Sequence, residues 1–115
     1  MPRMTALNLR SGDNLEALEA ALTTALTSMP EMEIAAWEVD LVPAFAPAEF
    51  PDPIARIDVD LWERPCRDKA RLQETALRMA QAFRRVTAPD RRVKVVLHPY
   101  DPDRSGWVSL ADEES

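Results

Sequence analysis

The chain has 115 residues, about the length of one domain, and its 46% hydrophobic and 30% charged residues are typical of a globular protein rather than a disordered or fibrous one. Its formal charge of −6 does not attract phosphate backbones, so nucleic acid is not expected as a partner. No apolar run approaches the roughly 18 residues of a membrane span and no signal segment is evident, so we expect a cytoplasmic protein without membrane contact. The single cysteine, Cys66, excludes an internal disulfide framework and a cysteine-based metal site.

The pattern of the first half predicts a strand, a helix and a second strand. Residues Arg3 to Leu9 suit a short strand, and Asp13 with Glu16 three residues later fits a capping box at the start of a helix. Leucines and alanines then recur at helical spacing. The segment 34–42 ends in alternating apolar and acidic residues, which predicts a strand with one buried face.

The second half repeats this layout after a connector. The connector, 43–53, holds four prolines and two phenylalanines, and this proline density predicts a loop. Apolar residues alternate with charged ones around 57–61, a helical stripe runs from about 67 to 85, and a further strand is centred on Val95. Residues 100–115 are predicted to form a turn-rich tail.

The two halves, 2–43 and 53–99, therefore form an internal pseudo-repeat in which a proline opens each unit. We predict a single domain over 1–115 of the α/β (α+β) class, with two β-α-β units that form one four-stranded mixed sheet and both helices on one face. The uncovered face is then expected to carry acidic side chains beside basic ones, namely Glu38, Asp40, Asp58, Asp60, Arg56 and Lys94.

Proline at position two is the main functional signal of the sequence. A methionine before a small residue is commonly trimmed, which would leave Pro2 with a free secondary amine held on a strand. To act as a base near neutral pH this amine needs a lowered pKa, because a general base works best near the operating pH. Burial in an apolar pocket lowers the pKa of an amine, and so does nearby positive charge, for which Arg3, Arg10 and Arg64 are candidates.

Several stretches of the chain resemble a known family. The segment 53–64, Pro-Ile-Ala-Arg-Ile-Asp-Val-Asp-Leu-Trp-Glu-Arg, with Lys69 soon after it, is similar to the opening strand, its arginine and the first helical turn of the tautomerase superfamily. That superfamily includes 4-oxalocrotonate tautomerase and macrophage migration inhibitory factor. Segments 34–39, 89–93 and 100–107 are similar to the corresponding parts of its longer members, so the resemblance spans nearly the whole chain.

The resemblance implies a homotrimer with pockets between subunits and a small anionic substrate, and we expect no cofactor or metal. In the relatives the amino-terminal proline is the catalytic group, as a base in tautomerases or as an acid in some dehalogenases and decarboxylases. Carried across, Pro2 is catalytic, while Arg64 and Arg10 hold the substrate carboxylate. Arg64, a backbone N–H or Tyr100 supplies the donor that a developing enolate needs. The implied function is that of a tautomerase or isomerase acting on a small enolisable 2-oxo acid.

Departures from the family pattern keep other functions open. Ser28 and Met29 stand where the migration inhibitory factor pattern has a lysine, and Cys66 stands where decarboxylase members carry an arginine. A decarboxylase or dehalogenase of the same superfamily is therefore an alternative, and so is a non-catalytic trimeric binding or interaction protein. A ferredoxin-like ligand-sensing domain has the same element order but would pair its strands antiparallel.

The remaining reactive residues have plainer interpretations. His98 is expected to be a solvated turn residue at the end of a strand. Cys66 lies near a helix start without a histidine base close in sequence, so a nucleophilic role is not expected. Arg56 is expected to pair with Asp58 or Asp60, and the carboxylates of this face indicate a hydrated wall rather than a metal site.

Overall fold

The computed structural model describes residues 2–47, 54–101 and 103–106, apart from the side chain of Trp37. Most of the predicted connector, including Pro53, lies outside these residues, and so does the end of the predicted tail. What the sequence indicates for Pro53 and for 107–115 therefore stays a prediction.

The described chain alternates strand, helix and strand twice. The elements are β1 (Arg3–Leu9), α1 (Leu15–Leu26), β2 (Asp40–Phe45), β3 (Ala55–Trp62), α2 (Lys69–Val86) and β4 (Val93–Tyr100). Two short 3₁₀ turns, Pro30–Met32 and Ala36–Glu38, lie between α1 and β2. Within the ranges described, no helix is both long enough and apolar enough to cross a membrane.

The four strands form one mixed sheet in the order β2-β1-β3-β4. Each β-α-β unit contributes a parallel pair, β1 with β2 and β3 with β4, and the two units meet where β1 runs antiparallel to β3. This confirms the predicted fold class. It also excludes the ferredoxin-like alternative, in which neighbouring strands would pair antiparallel.

The second strand lies later in the chain than the sequence pattern predicts. The alternation over 34–42 predicts a strand there, but Ala36–Glu38 forms a 3₁₀ turn and β2 occupies Asp40–Phe45. β2 therefore includes the first three residues of the predicted connector, Pro43 among them. Proline is tolerated there because β2 is an edge strand, where one side of the backbone needs no partner.

A bulge near the end of β1 keeps the apolar residues of that strand on the core side. Met4 and Ala6 are buried at the strand period of two, whereas the next buried residue is Leu9, three positions on. The register to β2 shifts between Ala6 and Leu9, and Asn8 adopts a left-handed backbone with a φ of 60°. The Asn8 amide donates to the Ile54 carbonyl at 3.1 Å, which holds the bulge against the start of β3.

Asparagine rather than aspartate caps the first helix. The Asn14 side chain accepts a hydrogen bond from the Ala17 N–H at 3.1 Å, so the predicted capping box of Asp13 with Glu16 is wrong. The Asp13 carboxylate instead accepts two hydrogen bonds from Arg91. In the second unit Asp68 caps α2 by accepting from the Arg71 N–H at 2.9 Å.

The core lies between one face of the sheet and the two helices, which pack side by side on that face. The sheet contributes alternate residues of its strands, and each helix contributes one stripe. The largest fully buried side chains are Phe83, Met4, Leu9, Leu18, Leu22, Leu26, Met32, Ile57, Leu61, Met79, Val59 and Thr75.

Two buried arginines join the units reciprocally. Arg91, after α2, donates two hydrogen bonds to Asp13, before α1, at 2.8 and 2.9 Å. Arg67, before α2, donates to the carbonyls of Met32 and Glu33, after α1, at 3.0 and 3.2 Å. Each loop that precedes a helix is thus bonded to the loop that follows the other helix, which fixes the two units against each other at both ends of the helix layer.

Candidate functional site

The face of the sheet opposite the helices is polar. The strand alternation that buries Ile57, Val59 and Leu61 turns Arg56, Asp58 and Asp60 outward. Across the sheet this open face carries Arg3, Thr5, Asp40, Arg56, Asp58, Asp60, Lys94 and His98. Apart from Glu38, which lies in a 3₁₀ turn, the charged residues predicted for the uncovered face lie on it.

Pro2 lies at the end of the sheet where several strand ends meet. Parallel pairing places the start of β2 beside the start of β1, and antiparallel pairing places the end of β3 there as well, so Arg3 lies opposite both Asp40 and Asp60. Tyr100, at the end of β4, lies opposite Trp62 at the same end. The Pro2 carbonyl accepts a hydrogen bond from the Asp40 N–H at 3.3 Å, which anchors the residue at the head of β1.

A cavity of about 440 Å³ opens at this end of the sheet, lined by Pro2, Arg3, Asp40, Asp60 and Tyr100. Pro2 itself is buried in the described chain, whereas Arg3 and Asp40 are exposed. The volume suits a small organic molecule. The structure thus brings Pro2 and Tyr100, two of the residues singled out in the sequence, to the wall of one cavity.

The described wall of the Pro2 cavity carries more negative than positive charge. Among the described residues that line it, Arg3 supplies the single guanidinium, and the Arg3 Nε lies 3.6 Å from an Asp40 carboxylate oxygen. Both side chains of this pair are more than half exposed, 63% and 56%, so water competes with the interaction and the pair is easily separated. Asp60 adds a second carboxylate, which leaves the described wall with two negative groups and one positive group.

The two arginines expected to hold a substrate lie at opposite ends of the sheet. Arg64 follows β3 at the Pro2 end, where the Glu63 N–H bonds to the Tyr100 carbonyl. Its guanidinium is half-exposed and lies 3.9 Å from the Glu33 carboxylate. Arg10 follows the seven-residue β1, so roughly 20 Å of strand separates it from Pro2. Among the described residues neither arginine lines the Pro2 cavity.

A second cluster lies next to the cavity on the open face. The Arg56 Nε donates to both oxygens of Asp58, at 3.0 and 2.9 Å, and the His98 Nε2 lies 3.1 Å from one of them. The hydrogen bond from Arg56, with that of His98, holds the pKa of the Asp58 carboxyl below its ordinary value. The predicted pairing of Arg56 is confirmed for Asp58. His98 is exposed to solvent as expected, but it lies within β4 rather than in a turn, and its ring faces Asp58.

Cys66 lies close to Glu33. The Cys66 thiol donates to a Glu33 carboxylate oxygen at 3.1 Å, and this hydrogen bond to a carboxylate raises the pKa of the thiol. A raised pKa disfavours the thiolate, which is the nucleophilic form. That Cys66 is not a nucleophile stays a prediction. In the part of the chain that the structure describes, no group of three or more His, Cys, Asp or Glu residues is placed to hold a metal ion.

The acidic residues at the cavity are the part of the site that sequence patterns miss. Alternation places Asp40 and Asp60 on the uncovered face, but their position beside Pro2 depends on the strand register. Asp60 is fixed there by the antiparallel pairing of β1 with β3, and Asp40 by the later start of β2. Strand alternation alone gives the face of a residue and leaves its position along the sheet open.

Comparison with known proteins gives likeness in structure alone. No family model matches the chain, and no curated protein matches it. Among solved structures, the chain is similar to the F6 fused 4-OT wild-type asymmetric trimer, with 16% sequence identity, 91% of each chain covered and a TM-score of 0.72. It is similar to 5-carboxymethyl-2-hydroxymuconate delta-isomerase, with 15% identity, coverage of 96% of this chain and 88% of that one, and a TM-score of 0.65.

A third similar structure extends the range of chemistry found on this fold. N1, a member of the cis-3-chloroacrylic acid dehalogenase family, is 15% identical, with 84% of this chain and 75% of that one covered and a TM-score of 0.64. These proteins belong to the tautomerase superfamily, so the resemblance seen in the sequence is confirmed at the level of the fold. At such identities the likeness establishes the fold and leaves the activity to be argued from the site.

Proposed function

We propose that this protein is an enzyme of the tautomerase or isomerase type, in which the amine of Pro2 moves a proton at the carbon next to the carbonyl of a small 2-oxo acid. The observation that carries the proposal is the position of Pro2, buried at the head of β1 and in the wall of a cavity of about 440 Å³ that also contains Arg3 and Tyr100. The proposal takes Pro2 as the first residue of the mature chain.

Opposing influences set the basicity of the proposed amine. A chain-terminal amine titrates near pH 7.7 to 8.0 in the absence of other effects, and proline, as a secondary amine, is more basic. The positive charge of the nearby Arg3 disfavours the ammonium form and lowers the pKa of the amine. The Asp40 and Asp60 carboxylates act in the opposite direction. Because these influences offset one another, the amine is suited both to accept a proton from carbon and to return it.

Arginine side chains at the Pro2 end would bind the substrate carboxylate. Arg3 lines the cavity, and its loose contact with Asp40 is easily exchanged for a bidentate pair with a substrate. Arg64, the arginine expected from the sequence, follows β3 at the same end and is half-exposed. Tyr100 lines the cavity, and its hydroxyl would be the donor for the oxygen that becomes negative as the enol forms.

The proposed reaction has two proton transfers. The neutral Pro2 amine removes a proton from C3, the C3–H electron pair forms the C2–C3 double bond, and the carbonyl π pair moves onto the C2 oxygen, which Tyr100 stabilises. The resulting Pro2 ammonium then returns a proton, either to the original carbon, which gives exchange, or to a different carbon of a conjugated substrate, which gives the isomer. Positioned acid–base catalysis of this kind contributes about 10²- to 10⁴-fold in rate.

A homotrimer is part of the proposal, because it would bring Arg10 of one subunit to the site of another. The described chain carries exposed apolar side chains at the sheet, Val42, Phe45, Ile54, Trp62 and Tyr100, which a partner would cover. Similar proteins include fused 4-OT trimers. Light scattering of the purified protein is expected to give three times the mass of one chain, and the mass of a single chain would contradict the trimer. The cytoplasmic location expected from the sequence stays a prediction.

Exchange of the C3 hydrogens of 2-oxopentanoate in D₂O, followed by proton NMR, tests the proposed function. We expect the protein to accelerate exchange in proportion to its concentration, with a pH profile that rises as the amine loses its proton. A panel of further enolisable 2-oxo acids guards against a poor choice of substrate. Failure to accelerate exchange in any of them, by protein whose Pro2 amine is free, would exclude this function.

The acidic wall favours one alternative within the same superfamily. Asp40 and Asp60 would keep Pro2 protonated, as the ammonium acid that dehalogenation or decarboxylation by a proline requires, and either carboxylate would orient the water molecule that hydrolytic dehalogenation consumes. Release of chloride from 3-chloroacrylic acid without C3 exchange in 2-oxo acids would select the dehalogenase. A non-catalytic trimeric binding protein is the remaining alternative, and it applies if Met1 stays attached, since the Pro2 nitrogen is then an amide.

A further inference from the structure

Arg3, which supplies the guanidinium of the Pro2 cavity, has an aspartate opposite it on each of the two neighbouring strands. Arg3 on β1 is directly opposite Asp40 on β2 and Asp60 on β3, and all three point to the open face. Arg3 is in contact with Asp40, at 3.6 Å. Within the described residues, the Asp60 carboxylate has neither an ion pair nor a hydrogen bond, and it is exposed.

Asp60 also forms the boundary between two neighbouring cavities. It lines the Pro2 cavity, and it lines a second cavity of about 390 Å³ together with Thr5, Arg56, Asp58 and His98. Arg56, the guanidinium on its own strand, donates both of its short hydrogen bonds to Asp58. The charge of Asp60 is therefore not compensated locally by Arg56, and it acts on whatever enters the Pro2 cavity.

Substrate binding would increase the excess of negative charge in the Pro2 cavity. A substrate carboxylate that pairs with Arg3 takes the place of Asp40, so both aspartates then face the rest of the substrate without a partner. An uncharged substrate tail beside the two aspartates is tolerated. A second carboxylate meets two like charges at short range, and like charges in a partly enclosed cavity repel strongly enough to change binding by about tenfold.

On this basis we propose that the Pro2 cavity selects 2-oxo acids with a single carboxylate over the corresponding diacids, and that Asp60 is the residue that sets this preference. The inference rests on the proposed function for its catalytic readout. Arg64, the other guanidinium considered at this end, lies outside the described wall of the cavity, so this wall offers a second substrate carboxylate no guanidinium besides Arg3. Asp60 acts here on specificity and does not take part in the proton transfers.

Two compounds of equal chain length provide the test. 2-Oxopentanoate and 2-oxoglutarate both enolise at C3 and differ in carrying a methyl group or a carboxylate at C5. For C3 exchange in D₂O at low ionic strength, we expect kcat/KM of the wild-type protein to be about tenfold higher for the monoacid. Asp60→Asn is expected to reduce this ratio at least threefold, mainly by raising kcat/KM for the diacid.

A variant with the same charge change elsewhere serves as the control. Asp90→Asn alters an exposed turn residue before β4, whereas the cavity residue Tyr100 lies at the other end of that eight-residue strand, and the variant is expected to leave the ratio unchanged. Raising the salt concentration to about 0.5 M should diminish the preference of the wild type, because salt screens the repulsion. Equal kcat/KM values for the two acids in the wild type, or a ratio that Asp60→Asn leaves unchanged, would overturn the inference.

Binding measurements separate this inference from the proposed function. If none of the 2-oxo acids of the panel undergoes exchange, the proposed function fails, but ligand-observed NMR still gives the Kd of 2-oxopentanoate and of 2-oxoglutarate. A Kd about tenfold lower for 2-oxopentanoate, with the difference reduced in Asp60→Asn, supports the charge selection even then. Tighter binding of 2-oxoglutarate would contradict it, and would indicate that arginines from another subunit complete the site.

Discussion

Replacement of Pro2 by alanine is expected to lower kcat/KM for C3 exchange in 2-oxopentanoate by about 10²-fold or more. Alanine is also small, so trimming of Met1 still leaves an amine at this position. The amine is then primary, less basic and free to rotate, whereas the proline ring fixes the nitrogen relative to β1. Exchange rates from proton NMR at several substrate concentrations give kcat and KM separately, and we expect most of the loss in kcat.

An alanine inserted between Met1 and Pro2 provides the sharper companion variant. It leaves every side chain of the cavity in place and converts the Pro2 nitrogen to an amide, which has no basicity. Exchange should fall to the rate without protein. A pH profile of the alanine-substituted protein adds a second readout, because a change of amine shifts the rising limb of the profile. Full activity in the insertion variant would show that the Pro2 nitrogen is not the base.

Replacement of Arg91 by alanine is expected to lower the free energy of unfolding by about 3 to 5 kcal/mol. The Arg91 side chain is only 3% exposed and Asp13 only 8%, and two hydrogen bonds of 2.8 and 2.9 Å join them. The guanidinium also lies 5.2 Å from the centre of the Phe83 ring. Removing the arginine leaves the Asp13 carboxylate buried without its partner, which costs more than the pair itself contributes. Urea unfolding followed by circular dichroism measures the change.

Glu74→Ala provides the matched control for this loss. Glu74 pairs with Arg78 at 3.2 Å one helical turn away, and both side chains are about half exposed. Exposed pairs of this kind contribute about 0.3 to 0.5 kcal/mol, so the control should unfold at nearly the urea concentration of the wild type. A loss below about 1 kcal/mol for Arg91→Ala would show that the Asp13–Arg91 link does not join the two units in solution.

The Asp13–Arg91 link also predicts that the free energy of unfolding depends on pH in the acidic range. Burial alone acts to raise the pKa of Asp13, but the hydrogen bonds from the Arg91 side chain and the Arg10 N–H, with the charge of Arg91, hold the pKa below its ordinary value of 3.8. The folded state therefore binds the Asp13 proton less readily than the unfolded state. The stabilisation is complete above about pH 3.8 and is lost as the pH falls through the folded-state pKa. Arg91→Ala removes the side-chain hydrogen bond that most lowers the pKa of Asp13 while the Arg10 N–H bond remains, so this acid sensitivity should be smaller in the variant when urea unfolding is followed at a series of pH values.

Strand and helix order can be predicted from the sequence because local periodicity determines it. The alternation around Ile57 and the helical stripe ending near Phe83 both correspond to observed elements. The bounds of β2 cannot be predicted in this way. The apolar residues Val39 and Leu41 alternate as in a strand, but Ala36–Glu38 just before them forms a 3₁₀ helix, and β2 begins only at Asp40. The capping pattern places the cap of α1 one residue too early, because Asp13 satisfies that pattern but makes a stronger interaction with a residue far along the chain.

The candidate site is predictable only in part, for a similar reason. Sequence features point to Pro2 and Tyr100, and the structure places both in one cavity wall. Arg3 is recognisable as a source of positive charge, but its contact with Asp40 requires the parallel register of β1 and β2. Asp60 enters through the antiparallel pairing between the two units, and no spacing within one unit encodes that pairing.

The intact mass of the protein purified from its own host is the measurement that tests the central claim most directly. The account predicts a mass that lacks one methionine and begins at Pro2, because the proposed chemistry needs the free secondary amine. A mass that includes Met1, or any residue ahead of Pro2, would mean that the nitrogen is an amide in the native protein. That result would contradict the enzymatic account and favour a binding role for the same fold.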